Sequence, residues 1–193
     1  NKEEVRASNQ HLRGKTLGIP GFGALGRQVS RLLSGFGVQQ LYFDPVRADT
    51  ETEQDFQVSY SPLDELLTRS DILTLHMPLL ESTRSLIDSK RLSLMKPTSI
   101  VINCARGGLI DERALFEALE SRQIFGAGID AFSQEPPLDS PLLKSRHVTV
   151  TPHCAGATID NFESIVRRAV ENTQTVLEGG PLPVGDEEIL WSV

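Results

Sequence analysis

Residues 17–29, LGIPGFGALGRQV, read as a short apolar strand running into a glycine turn and then a helix, and this stretch narrows the choice of fold more than any other. It carries one G-x-G-x-x-G, at Gly21, Gly23 and Gly26. Gly21 permits the tight turn, Gly23 lets the backbone approach a diphosphate, and Gly26 lets the helix pack closely on the strand. The diphosphate would sit on the unpaired N–H groups and positive dipole end of the helix that begins near Ala24 and Leu25.

The rest of the chain repeats the alternation. Residues 1–13 are too polar for a core helix and read as a lead-in that Gly14 closes. After a first strand at 16–20, Leu25, Val29, Leu32, Leu33 and Phe36 recur at steps of three and four, the spacing of one helical face. Gly35 and Gly37 supply the stop. The next strand, QQLYFDP, ends at Asp44, eighteen residues beyond Gly26, where an acidic residue receives an adenosine ribose. Residues 46–60 are polar, with one strand candidate at 57–60, and Ser61 and Pro62 read as the N-cap and first turn of a helix through Leu67.

Further strands are expected at 71–76, 99–103, FGAGID and HVTVTPH, and helices at 89–95 and after Asp111, a credible N-cap. Residues 133–145 contain three prolines and read as a loop. The last helix runs from a Thr158 cap to the Gly179-Gly180-Pro181 stop, with Phe162, Ile165, Val166 and Val170 among the apolar residues on one face. Strands alternating with helices predict an α/β fold with a doubly wound parallel sheet. Residues 14–180 form the expected domain, followed by a tail at 181–193 that carries Trp191.

A chain of 193 residues with 39% apolar and 23% charged positions suits one soluble domain with a sizeable core. The net charge of −7, with scattered Lys and Arg, offers no footprint for nucleic acid or an anionic membrane. No signal peptide or apolar run of about 18 residues is visible. Cys104 and Cys154 have neither CxxC spacing nor disulfide density, which suits a reducing compartment and a cytoplasmic protein. No metal is expected.

Ligands of open parallel sheets lie outside the carboxyl ends of the strands. The residues just after the expected strands are Gly21, Asp44, His76, Arg106, Asp130 and His153. At this point the sequence resembles the D-isomer-specific 2-hydroxyacid dehydrogenases, in the branch that includes D-3-phosphoglycerate dehydrogenase. The resemblance covers about residues 12–177 and rests on RGKTLGIPGFGALG, the Asp44-Pro45 strand end, HMPLLESTRSLI, MKPTSIVINCARGGLIDERAL, and GIDAFSQEPPLDSPL with VTPHCAGAT. It implies an NAD(P)-binding Rossmann domain that contributes an Arg, a Glu and a His to hydride transfer at a 2-oxo or 2-hydroxy acid, and that pairs as a homodimer.

Arg106 carries a planar, permanently charged fork suited to a substrate carboxylate, and it can polarise the adjacent carbonyl. His153 is the candidate general acid and base, since an imidazole ordinarily titrates near about 6.5. Glu135 would hold that imidazole and favour its protonated form. Asp44 would accept the ribose hydroxyls and repel a 2′-phosphate, favouring NAD over NADP, with Arg47 close enough to blur the preference. The resemblance further implies that Asp130 meets the nicotinamide carboxamide and that Pro78, Thr83, Cys104, Arg106, His153 and Gly156 line the cofactor pocket.

Two departures stand out. Pro20 takes the last strand position and can donate no ladder hydrogen bond, so the strand must end there. The resemblance implies a substrate domain built from segments on both sides of the cofactor domain, and the 13 residues before it and the short tail after it here are expected to be too few for one. An NAD(H)-sensing corepressor-like binding module is the alternative from another class, and a formate-type or phosphonate-type dehydrogenase domain is a third reading.

Overall fold

The computed structural model describes residues 10–181; the expected tail with Trp191 and most of the lead-in lie outside them. The described chain divides into one compact unit ending at His153 and a second beginning at Cys154.

The first unit is built on a seven-stranded sheet: β1 (Thr16–Pro20), β2 (Gln39–Phe43), β3 (Val58–Tyr60), β4 (Ile72–Leu75), β5 (Ile100–Asn103), β6 (Gly126–Ile129) and β7 (Val148–Val150). All neighbours are parallel, in the order β3-β2-β1-β4-β5-β6-β7. Parallel neighbours need crossover connections, and most of these carry helices: α1 (Ala24–Leu33), α2 (Thr50–Phe56), α3 (Leu63–Arg69), α4 (Ser89–Leu92) and α5 (Glu112–Glu120). The order reverses between β1 and β4, the switch point beside which a ligand crevice opens.

Alternation along β1 explains the layering. Leu17 and Ile19 join Phe22, Tyr42 and Val58 in a smaller apolar cluster. Gly18 points the other way, where an added Cβ would lie 2.5 Å from Leu66 Cδ2, so α3 closes directly on the backbone. The larger cluster, including Leu66, Leu73, Leu75, Val101 and Leu115, fills that second face. Each fully buried side chain of this kind is worth roughly 1.5–3 kcal/mol.

The structure corrects the sequence reading in three places. Of the apolar residues expected on one face, Leu25 and Leu32 of α1 and Phe36 just beyond it are 67%, 73% and 54% exposed, Leu33 packs against the smaller cluster, and the helix buries Gly26 and Ser30 instead. Close approach at Gly26 sets the helix rotation, and that overrides periodicity. Helix α3 starts one residue late: Pro62 is its N-cap, without a side-chain cap, and the Ser61 hydroxyl donates to the Pro62 carbonyl. Helix α2 goes unforeseen in the polar stretch, where the Asp49 carboxylate accepts the Thr52 N–H at 2.7 Å.

The second unit contains α6 (Ile159–Leu177), which starts as expected: the Thr158 hydroxyl accepts the Asn161 N–H. Among the described residues no helix is long and apolar enough to cross a membrane, and no cluster of His, Cys, Asp and Glu could hold a metal ion.

Candidate active site

The glycine turn is tied to the end of β2. Gly21, at φ +93°, occupies a conformation that L side chains rarely adopt, and an added Cβ would lie 2.5 Å from the His76 carbonyl carbon and oxygen. At Gly26 a Cβ would fall 2.1 Å from the Gly21 oxygen. At Gly23, the N-cap of α1, it would meet nothing within 4 Å. The turn is therefore closed behind and open in front, where Gly23, Ala24 and Leu25 are exposed. Asp44 braces it: one carboxylate oxygen accepts the Phe22 N–H at 2.9 Å, the other the Val46 N–H at 3.2 Å. This open glycine cradle at a helix start, closed by an acidic residue, fits a dinucleotide diphosphate and ribose.

Beyond β4, Pro78 and Thr83 share one turn. The Thr83 hydroxyl donates to the Pro78 carbonyl at 2.8 Å and accepts the Leu80 N–H at 2.7 Å. His76 sits half-buried behind Gly21, its Nε2 2.9 Å from the Thr74 hydroxyl, and burial pushes its pKa below the ordinary value.

Beyond β5, Asn103 shapes the loop bearing Cys104 and Arg106. Its buried amide donates to the Arg106 carbonyl at 2.9 Å and accepts the Ala105 N–H at 3.1 Å. The Arg106 guanidinium donates to the Ala105 carbonyl at 2.8 Å and remains exposed, as does Cys104. A Cβ at Gly107 would fall 1.9 Å from the Phe132 oxygen, so this loop lies directly against the segment after β6.

That segment holds the remaining residues. Asp130 is buried and accepts a hydrogen bond from the Thr151 hydroxyl, while its carbonyl accepts the His153 N–H at 2.9 Å. His153 has φ +53°, an uncommon backbone for a non-glycine residue. Its Nδ1 lies 2.9 Å from both Glu135 oxygens. Because a carboxylate only accepts, Nδ1 is the donor, and Nε2 is left for a ligand. Glu135 also accepts the Phe132 N–H at 3.0 Å. That bond first, and then the His153 bond, hold its pKa below the usual carboxylate range.

Arg106, Asp130, Glu135 and His153 thus lie in contiguous loops at the carboxyl edge of β5, β6 and β7, and Gly21, Gly23 and Asp44 at the same edge of β1 and β2. Gly156 belongs to the second unit. Sequence reasoning passed over Glu112 in the first turn of α5, which accepts from the Ser133 N–H and hydroxyl, both at 2.7 Å, and from the Ser140 hydroxyl. The available signal was an acidic residue just inside the Asp111 cap, opposite a serine-bearing loop that needed an anchor.

Residues 2–155 match the family model described as D-isomer specific 2-hydroxyacid dehydrogenase, NAD binding domain. The chain belongs to this family. It is 42% identical over 160 residues to a glyoxylate reductase of Korarchaeum cryptofilum, covering 82% of this chain and 48% of that protein. It is 40% identical over 177 residues to a D-3-phosphoglycerate dehydrogenase of Methanocaldococcus jannaschii, covering 92% and 34%. The holo form of Rhodotorula graminis D-mandelate dehydrogenase superposes with a TM-score of 0.88 at 35% identity, covering 94% of this chain and 53% of that one. The chain spans about half the length of the glyoxylate reductase it matches. The expected Rossmann fold and NAD as cofactor are both borne out. All three relatives are named for reductase or dehydrogenase activity.

Proposed function

We propose that the chain is the cofactor-binding half of an enzyme that interconverts a D-2-hydroxy acid and its 2-oxo acid. The observation that carries this reading is the Glu135–His153 pair standing at the same sheet edge as the glycine turn and Asp44. Gly21, Gly23, Ala24, Leu25, Gly26, Asp44, Pro78, Thr83, Cys104, Arg106, Asp130, His153 and Gly156 are the residues read as holding NAD. When bound, NAD supplies the two-electron redox chemistry.

The chain's own residues supply the rest. Arg106 binds the substrate carboxylate and polarises the neighbouring C2 oxygen. His153 Nε2 gives a proton to that oxygen in the reductive direction and takes it back in the oxidative one. Glu135 fixes the ring through Nδ1 and offsets the positive charge of the imidazolium. We further read the protein as a cytoplasmic homodimer, on the family resemblance and the two dispersed cysteines.

Turnover of a panel of 2-oxo acids by the complete protein with NADH tests the assignment. His153→Ala is expected to lose about 10²–10⁴-fold in kcat. Native turnover by that variant on every acid would overturn the role of His153. Calorimetry should show that the 193-residue chain binds NADH by itself. Sedimentation giving only monomer would remove the dimer.

A further inference from the structure

We propose that Glu53 is a specificity-determining residue that keeps the Arg47 guanidinium from a 2′-phosphate and so helps restrict the site to NAD. The inference rests on reading Asp44 as the ribose acceptor. Arg47 lies three residues past Asp44, where a cation would serve a 2′-phosphate. It is occupied instead: its Nε donates to Glu53 Oε1 at 2.8 Å and its Nη2 to Oε2 at 2.9 Å. This two-pronged edge is the one that a phosphate would take.

The anchor is the carboxylate. The Glu53 side chain is 13% exposed, whereas that of Arg47 is 63% exposed. Below Glu53, the hydroxyl of fully buried Tyr42 donates to Oε1 at 2.7 Å, and that hydroxyl in turn accepts the Ala48 N–H at 3.0 Å. Arg47 also lies over the Tyr60 ring, 5.4 Å from its centroid. Swinging Arg47 out would strip a shielded carboxylate of its cation, which is costly. Glu53 is held down to about 2 by Arg47 first and Tyr42 second, so it stays charged across the working range. Arg27, on the first turn of α1, donates its Nε to the Phe22 carbonyl at 3.1 Å. Two acidic residues therefore act together against NADP, since Asp44 repels the phosphate and Glu53 withholds the group that would compensate.

Fluorescence titration of the chain with NADH and NADPH tests this. Asp44→Ser alone is expected to gain little NADPH affinity. Adding Glu53→Gln, which retains an acceptor for Tyr42, should strengthen NADPH binding by about tenfold over Asp44→Ser, and adding Arg47→Ala should erase that gain. Equal NADPH affinity with and without Glu53→Gln, or a gain that survives Arg47→Ala, would overturn the proposal. Glu53→Gln with Asp44 in place is the second variant, and adenosine 2′-phosphate should displace NADH from it at lower concentration than from the unsubstituted chain. No change there would also count against the idea. Failure of the unsubstituted chain to bind NADH is a distinct result, and it would remove the cofactor-site reading and this proposal with it.

Discussion

His153 Nδ1 lies 2.9 Å from each carboxylate oxygen of Glu135, and the same carboxylate accepts the Phe132 N–H at 3.0 Å. The loop after β6 thus sets the tautomer of a ring carried by the loop after β7. Glu135→Gln keeps an acceptor for Phe132 and removes the charge that balances the imidazolium. The expected result in the complete protein is a kcat lower by about tenfold, because the imidazolium loses the charge that balances it in the transition state, with KM little changed. A kcat identical to the native one would separate Glu135 from the proton transfer.

Glu112 holds the Glu135 loop from outside the site through its bonds to Ser133 and Ser140. Glu112→Ala removes all of these and leaves the Ser133 N–H to water. Hydrogen bonds to charged groups contribute about 1.5–3 kcal/mol each, less where exposed. A loss of about 1–2 kcal/mol in urea denaturation is expected, together with faster proteolysis of the segment between Ser133 and Lys144. Glu112→Gln should recover much of the loss. Unaltered proteolysis in the alanine variant would show that the loop is held by something else.

Most of this architecture is legible in the sequence because its signals are local. The β1 boundaries, the start of α1, the Asp111 and Thr158 caps and the strand-end residues follow from apolar runs and cap chemistry within a few positions. What escapes is set at a distance. The rotation of α1 depends on the contact between Gly26 and Gly21 rather than on its leucines. Helix α2 has little apolar content and is held by Glu53 reaching Tyr42 on β2 and Arg47 beyond it. The bracing of Asp44 against Phe22 spans 22 residues and leaves no periodic trace. The site residues could be named singly, but their mutual support could not.

Gly107 offers a steric test of that support. A Cβ there would sit 1.9 Å from the Phe132 oxygen and 2.5 Å from the Ser133 nitrogen, both backbone atoms. Gly107→Ala must therefore displace one of the two loops. Overpacking of this kind costs about 1–3 kcal/mol or more, measurable as a lower urea midpoint. Activity of the complete protein should fall further than stability alone explains, because Arg106 and Glu135 are carried by the loops that separate. A variant as stable and as active as the native protein would show that the contact can relax without cost.

His76 supplies a test in pH. Burial pushes its pKa below the ordinary histidine value, and its carbonyl lies where only a glycine at position 21 leaves room for it. In the unfolded chain the ring takes a proton as pH falls through about 6.5. The folded chain resists until lower pH, so over that window the unfolded state binds more protons. The contribution of His76 is therefore fully present above about pH 6.5 and declines as pH falls toward its folded value, by at most about 1.4 kcal/mol per pH unit. Urea denaturation at about pH 7.5 and about pH 5.5 should show that decline in the native chain and a shallower one in His76→Asn, where no imidazole remains to be protonated. An equally steep decline in the variant would assign the acid sensitivity to other groups and leave His76 without a role in it.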